Sequence, residues 1–334
     1  FTWYSKENNQ PVLGGSWSNP KTYNFKSCSL APGMCDETCA DSGKPLKVKE
    51  NFTGCTGGRS CDVFATCTLG NKVVTNDWEQ RNSDISYDSQ NSDCDKGRCY
   101  DRGHVVPNDA LAVYYGKSGN TFSMCNISAQ TAFLNECKWM YIESVSRCLG
   151  EKYFLLELSG SLGPYKNEPK RLQDGITTPS KFFKIVYIPK DFTINGEKTS
   201  QTIDNDICFV WIMDNSTEIG GDMQKNTQYN LEDYKGLAGI KEIEKAHGFT
   251  FPDIIKSAAQ NTESCQKIGE LLSEEDVAGC RMKKFIPKDN LDKHKKGDDF
   301  FITSNSGPYS VYETCKNNKQ SDPIPCGCRG CNTD

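Results

Sequence analysis

The 334-residue sequence predicts an α+β fold: a mostly antiparallel sheet core flanked by helices, with disulfide-rich extensions. Three observations predict it. Buried-strand patterns recur at Tyr153–Leu158, Phe182–Ile188 and Ile207–Met213. A strand and a long helical pattern precede them, and further helical patterns follow only from Leu231 onward. Strands grouped in this way, rather than alternating with helices, disfavour a parallel array. A chain of this length buries a sizeable core without help from metals or partners.

The elements follow in order. Residues 1–70 are rich in Cys, Gly and Pro and lack an apolar period, so they read as a cysteine-rich N-terminal extension packed on the core. Cys28, Cys35, Cys39, Cys55, Cys61 and Cys67 lie there at irregular spacings without a His, which favours disulfides over a zinc site. Asn51-Phe52-Thr53 is a glycosylation sequon. A hairpin is predicted around Leu69-Gly70-Asn71. Residues 71–250 form the predicted core. Polar sequence containing Arg81-Asn82 leads to Cys94 and Cys99, which bracket the entry to a strand over Tyr100–Val106 that ends at Pro107.

Asn126–Leu149 reads as a short loop and one long helix, with Ser128 as its N-cap. Ser159–Pro164 reads as a turn after the first buried strand. Asn215-Ser216-Thr217 is a second sequon, expected at the surface. Helices are expected over Leu231–Ala246, Phe251–Ala259 and from Ile268 to Leu272 and beyond, so residues 251–334 read as a helical, cysteine-stapled extension. Arg281–Lys296 carries seven basic residues, with Lys283 and Lys284 as phosphate-binding candidates against the plainer reading of a solvated face. The tail holds Cys315, Cys326, Cys328 and Cys331, read as disulfide staples.

Composition narrows the class. The chain has 18 cysteines, an even number and more than packing needs, which points to an oxidising compartment. It begins at Phe1 without a charged-then-apolar leader, so the expectation is a mature, secreted, extracellular chain. No apolar run approaches the roughly 18 to 20 residues that span a bilayer, and a membrane partner is not expected. The net charge of −5 and pI near 5.5 exclude nucleic-acid binding by bulk attraction, so any such grip needs a local basic cluster.

The chemistry concentrates between Asp101 and Arg147. There are three histidines in the sequence. His247, in Ala246-His247-Gly248, reads as a helix end whose imidazole caps carbonyls, and His294 reads as solvated among lysines. His104 follows Gly103, which permits a sharp turn or a close approach by another chain, and a neutral imidazole at a strand end suits removal of a proton from water. Asn135, Trp139, Glu143 and Arg147 are spaced four apart and predict one stripe of a helix. Cys137 and Cys148 fall on the opposite side, where disulfides would fix it. Glu143 and Arg147 also fit an ordinary surface ion pair. Asn135 has no such routine explanation, and its amide oxygen suits Mg²⁺.

Asp101-Arg102-Gly103-His104 with Pro107, then Asn126-Ile127-Ser128-x-Gln130, then Asn135-x3-Trp139-x3-Glu143-x3-Arg147, resembles the DNA/RNA non-specific endonuclease family and its ββα-metal finger. The resemblance is strong over residues 78–215; Arg81-Asn82 and Thr178–Lys184 add to it. It implies hydrolysis of phosphodiesters in DNA, and in RNA, to 5′-phosphate and 3′-hydroxyl ends, with no protein partner indicated. It implies His104 as general base and Asn135 as the direct ligand of a hydrated Mg²⁺, for which Mn²⁺ or Ca²⁺ are stand-ins. Glu143 would hold a metal-bound water, and Asn126 would position His104 or the scissile phosphate. Arg81 and Arg147 would stabilise phosphoryl charge, and Arg102 with Asp101 would support the strand and the nucleic-acid grip. Asn126-Ile127-Ser128 is also a sequon, expected to be unmodified because it is recessed. Two rival classes remain: a catalytically silent binding member of the same fold, and a disulfide-rich structural protein. Intact His104, Asn135 and Glu143 weigh against the first, and the second would make the resemblance accidental.

Overall fold

The computed structural model describes residues 2–5, 10–18, 67–69, 72–74, 100–107, 126–131, 134–164, 166–167, 177–194, 196–215, 231–277, 280 and 308–320. The strands in chain order are β1 (Thr2–Ser5), β2 (Gln10–Ser18), β3 (Cys67–Leu69), β4 (Lys72–Val74), β5 (Tyr100–His104) and β6 (Ile127–Thr131). They continue with β7 (Leu155–Leu162), β8 (Lys166–Asn167), β9 (Thr177–Thr178), β10 (Lys181–Ile188), β11 (Asp191–Ile194), β12 (Glu197–Ser200) and β13 (Ile207–Asp214). The helices are α1 (Met140–Lys152), α2 (Gly236–His247), α3 (Asp253–Asn261), α4 (Lys267–Leu271) and α5 (Pro308–Asn317).

A five-stranded sheet in the order β1-β2-β7-β10-β13 forms the centre, and every neighbouring pair in it is antiparallel. β10 and β13 read as near-continuous apolar runs because both of their faces are covered. Alternation sends Phe182, Val186, Phe209, Trp211 and Met213 to one face, where they pack with α1, α4 and α5. Phe183, Ile185, Cys208, Val210 and Ile212 go to the other face, against α2 and α3. The predicted antiparallel α+β core is therefore present, as a sheet between two helical layers.

Three expectations shift. β1 and β2, expected within an N-terminal extension, are strands of the sheet, and β2 lies inside it between β1 and β7. Likewise α3, α4 and α5, beyond residue 250, bury side chains in the same two cores as the strands. Of the turn expected at Ser159–Pro164, Ser159–Leu162 is instead the second half of β7, which ends before Gly163. Its Ser and Gly residues fit because a Cβ on Gly160 would meet Val12 O at 2.1 Å and the Phe183 ring at 2.5 Å. Only glycine lets β7 approach its neighbours that closely.

The hairpin around Gly70-Asn71 is present, with Leu69 opposite Lys72. Two disulfides are described, Cys148–Cys280 and Cys265–Cys315. Among the described residues Cys208 is a reduced thiol, fully buried; burial pushes its pKa up, so it stays protonated. The remaining cysteines of residues 1–66, Cys94 and the tail cysteines after residue 320 lie outside the described residues. No described helix is long and apolar enough to cross a membrane.

Candidate active site

A β-hairpin followed by a helix carries the predicted residues. β5 and β6 pair antiparallel, with Gly103 opposite Ser128 and His104 opposite Ile127. Gly103 permits the close approach the sequence foresaw: a Cβ there would lie 2.1 Å from Gln130 Oε1. Gln130, fully buried, fills the space that a side chain at position 103 would need. His104 is the last residue of β5 and is half-buried, while Val105 and Val106 directly after it are in the core.

Asn126 locks that exit. Its Oδ1 accepts the Val106 N–H at 2.8 Å, its Nδ2 donates to Val106 O at 2.9 Å, and its carbonyl accepts from Val105 N at 2.8 Å. The amide thus binds both backbone polar groups of one residue, as a strand would, and fixes the backbone that leaves His104. Asn126 is only 3% exposed, which agrees with the expectation of a recessed sequon.

The helix is built differently from the single long α-helix expected. Ile127–Thr131 is a strand, so Ser128 is not an N-cap; the side chain that meets the first turn is Thr131, whose Oγ1 accepts from Leu134 N at 3.2 Å. Leu134–Trp139 is a π turn, and α1 continues from it. π turns are wider than α turns and concentrate at functional sites. The change of period breaks the predicted stripe. Asn135, Glu143 and Arg147 are half-buried, whereas Trp139 is 1% exposed and points into the core. There it packs edge-on against Phe182, and Lys184 Nζ lies 4.6 Å from its ring centre.

Two contacts hold the π turn and α1. Lys138 pairs with Asp233 at 2.9 Å; burial pushes the Asp233 carboxyl up and the lysine pulls it back. Arg147 Nη2 donates to Ser144 Oγ at 3.0 Å, and that hydroxyl donates to Met140 O at 2.8 Å. The guanidinium is thereby oriented along the helix rather than left to swing.

Residues 40–258 match the DNA/RNA non-specific endonuclease family. The chain belongs to that family. It is also 27% identical, over 169 residues, to Nuclease C1 of Cunninghamella echinulata var. echinulata; the match covers 47% of this chain and 58% of that nuclease. A chain of the solved EndoG/EndoGI complex is 14% identical, with a TM-score of 0.42 over 76% of this chain and 82% of that one.

For this member of the endonuclease family, the structure places His104, Asn126, Asn135, Glu143 and Arg147 on one contiguous β5–β6–α1 unit. Arg102 lies on β5 with its backbone opposite Ala129; its side chain, like Arg81, Lys283, Lys284 and Asn51, is outside the described residues. Asn215 departs from expectation. Its sequon is expected at the surface, whereas Asn215 is 6% exposed and its amide makes three hydrogen bonds.

The residues present fit a hydrated hard cation. Among the described residues no three His, Cys, Asp or Glu side chains converge into a cage for a softer metal. Asn135 and Glu143 offer an amide and a carboxylate oxygen, the donors that Mg²⁺ accepts while keeping several waters. Sequence reasoning missed Asn215, Thr131 and the Lys184–Glu157 pair beneath Trp139. The signal for Lys184 was available: a cation in the middle of Phe182–Ile188 requires a buried partner.

Proposed function

We propose that the protein is a secreted, Mg²⁺-dependent endonuclease that hydrolyses DNA first and RNA second, leaving 5′-phosphate and 3′-hydroxyl ends. The observation that carries this reading is the β5–β6–α1 unit. His104 stands at a strand end fixed by the Asn126–Val106 clamp, and Asn135 sits in the π turn Leu134–Trp139 that follows β6. The family match and the likeness to a fungal nuclease support it. The two disulfides support an oxidising compartment.

In this reading neutral His104 accepts a proton from water as the water oxygen attacks phosphorus in line with the 3′ oxygen. The bond from phosphorus to that oxygen breaks, and the oxygen leaves as a hydroxyl. Arg147, and Arg81 with it, neutralise the charge that develops on the phosphoryl oxygens. Asn135 would hold Mg²⁺ directly and Glu143 through water. When bound, the cation supplies Lewis acidity and an acidic water for the leaving group.

Supercoiled plasmid and an RNA transcript, each incubated with Mg²⁺ and with chelator, test it. Cleavage of plasmid that stops with chelator is expected. His104→Ala should lower turnover by about 10²- to 10⁴-fold, the usual worth of a positioned general base, while oligonucleotide binding measured by fluorescence anisotropy stays near wild type. Cleavage by His104→Ala at the wild-type rate, or no metal-dependent cleavage of either substrate by the wild type, would overturn the reading.

A further inference from the structure

The carboxamide of Asn215 reaches two segments that are remote in sequence. Its Oδ1 accepts the Thr131 N–H at 2.7 Å. Its Nδ2 donates to Ala129 O at 3.0 Å and to Pro179 O at 2.9 Å. Its backbone N–H donates to Ser180 O at 2.8 Å. Both amide hydrogens are used, and all these groups are buried or nearly so. Asn215 directly follows β13, so it is fastened to the central sheet, whereas Ala129 and Thr131 belong to β6 of the site unit.

Bonding the carbonyl of one residue and the N–H of the residue two further on is what the N–H and C=O of a single residue in a parallel neighbouring strand do. The amide therefore completes the edge of β6 that β5 leaves uncovered, where buried backbone groups would otherwise lack partners. It grips β6 at the point from which both arms of the site depart. Ala129 lies opposite Arg102, two residues before His104. Thr131 Oγ1 receives the Leu134 N–H at the head of the π turn that contains Asn135.

We infer that Asn215 is a positioning residue: by docking β6 to the sheet, it sets the placement of His104 relative to Asn135. The inference rests on the nuclease reading for its catalytic consequence. A second consequence follows for the sequon that begins at Asn215. A glycan replaces one amide hydrogen and so removes the bond to Ala129 or to Pro179, which means the closed clamp and a modified Asn215 exclude each other.

Asn215→Asp keeps the shape and the acceptor for Thr131 but turns a donor toward two carbonyl oxygens into an acceptor. Its kcat on plasmid should fall about 10- to 100-fold, with KM for DNA within about twofold. The Mg²⁺ concentration for half-maximal rate should rise several-fold. Thr131→Val breaks the link to Leu134 without adding charge and should raise the Mg²⁺ requirement in the same direction. Thr217→Ala abolishes the sequon but leaves Asn215, and should change neither the rate nor the mass beyond that of the substitution itself. Hydrogen exchange reads the clamp without turnover: Asn215→Asp should speed exchange in peptides covering 100–107 and 127–139 more than in β10 and β13. A wild-type protein that fails to cut nucleic acid would remove the nuclease reading, and exchange would still judge the clamp. Wild-type exchange in both peptides, activity loss that only tracks the folded fraction at an unchanged Mg²⁺ requirement, or a glycan on Asn215 of active protein would overturn the inference. Should Asn215→Asp not fold, wild-type Mg²⁺ dependence and exchange in Asn215→Ser, which removes the same amide bonds without adding charge, would do so.

Discussion

His247 ends α2, and Gly248 after it takes the left-handed conformation that closes the helix. Its ring does not cap that helix. Nε2 lies 2.9 Å from Ser161 O of β7, so the tautomer with a hydrogen on Nε2 donates to a strand carbonyl. The ring also stacks on Phe249, with the planes 4° apart, and meets Phe183 edge-on. Burial holds the imidazole below its ordinary pKa of 6.5, and the Ser161 carbonyl offsets part of that. The sign follows from proton counting. Above pH 6.5 both folded and unfolded chains carry a neutral ring. As pH falls below that value the unfolded chain binds the proton first, so stability declines until the folded ring protonates too. For one proton the slope is at most about 1.4 kcal/mol per pH unit. Urea midpoints at pH 7.5, 6.5 and 5.5 should therefore fall more steeply for wild type than for His247→Gln; parallel curves would show that this ring does not govern the acid response.

At the scale of elements, the π turn and α1 rest on a charge buried in the sheet. Lys184 of β10 is fully buried, bonds Glu157 Oε1 of β7 at 2.5 Å and Ser159 Oγ at 3.0 Å, and lies beneath Trp139. Removing one partner of a buried ion pair strands the other, at a cost of about 3–5 kcal/mol. Lys184→Met should lose that much in urea denaturation, and Lys184→Met with Glu157→Leu should recover most of it. A double variant no better than the single would mean that Trp139 needs the cation itself. The pair also shows where sequence reading stops. Apolar runs located the strands at Phe182–Ile188 and Ile207–Met213 because a buried-strand pattern is a local property of the sequence. The period of Leu134–Trp139 was not legible, since four-residue spacing fits an α-helix equally well and the wide turn is held by Asp233 and Thr131 from elsewhere. β6 was hidden for the same reason. Its five residues have a partner, β5, that lies 22 residues upstream, and an edge covered by Asn215, 84 residues beyond Thr131. His104 and Asn135 stood out by residue type and spacing and Asn126 by the family resemblance, but the amide of Asn215 looked like a glycan acceptor.

For the whole molecule, the segment that matches the family, residues 40–258, is not the packing unit. β2 lies outside it yet sits between β1 and β7, and α4 and α5 lie outside it yet close the core behind α1. The disulfides complete that closure. Cys148, on the buried side of α1, is joined to Cys280, and Cys265 beside α4 is joined to Cys315 of α5. The first bridge spans 132 residues and ties the site helix to chain beyond the family match. Cross-links over long loops act mainly by restricting the unfolded chain, with a usual worth of about 2–4 kcal/mol. Cys148→Ala with Cys280→Ala, which leaves neither partner of the bridge as an unpaired thiol, should lower unfolding free energy by that amount. Nuclease activity at low temperature should persist, because His104, Asn126 and Asn135 are placed by hydrogen bonds the bridge does not make. Activity followed against temperature should then fail earlier in the double variant, in step with its unfolding. Loss of activity in fully folded double variant would instead show that the bridge sets the position of α1 itself.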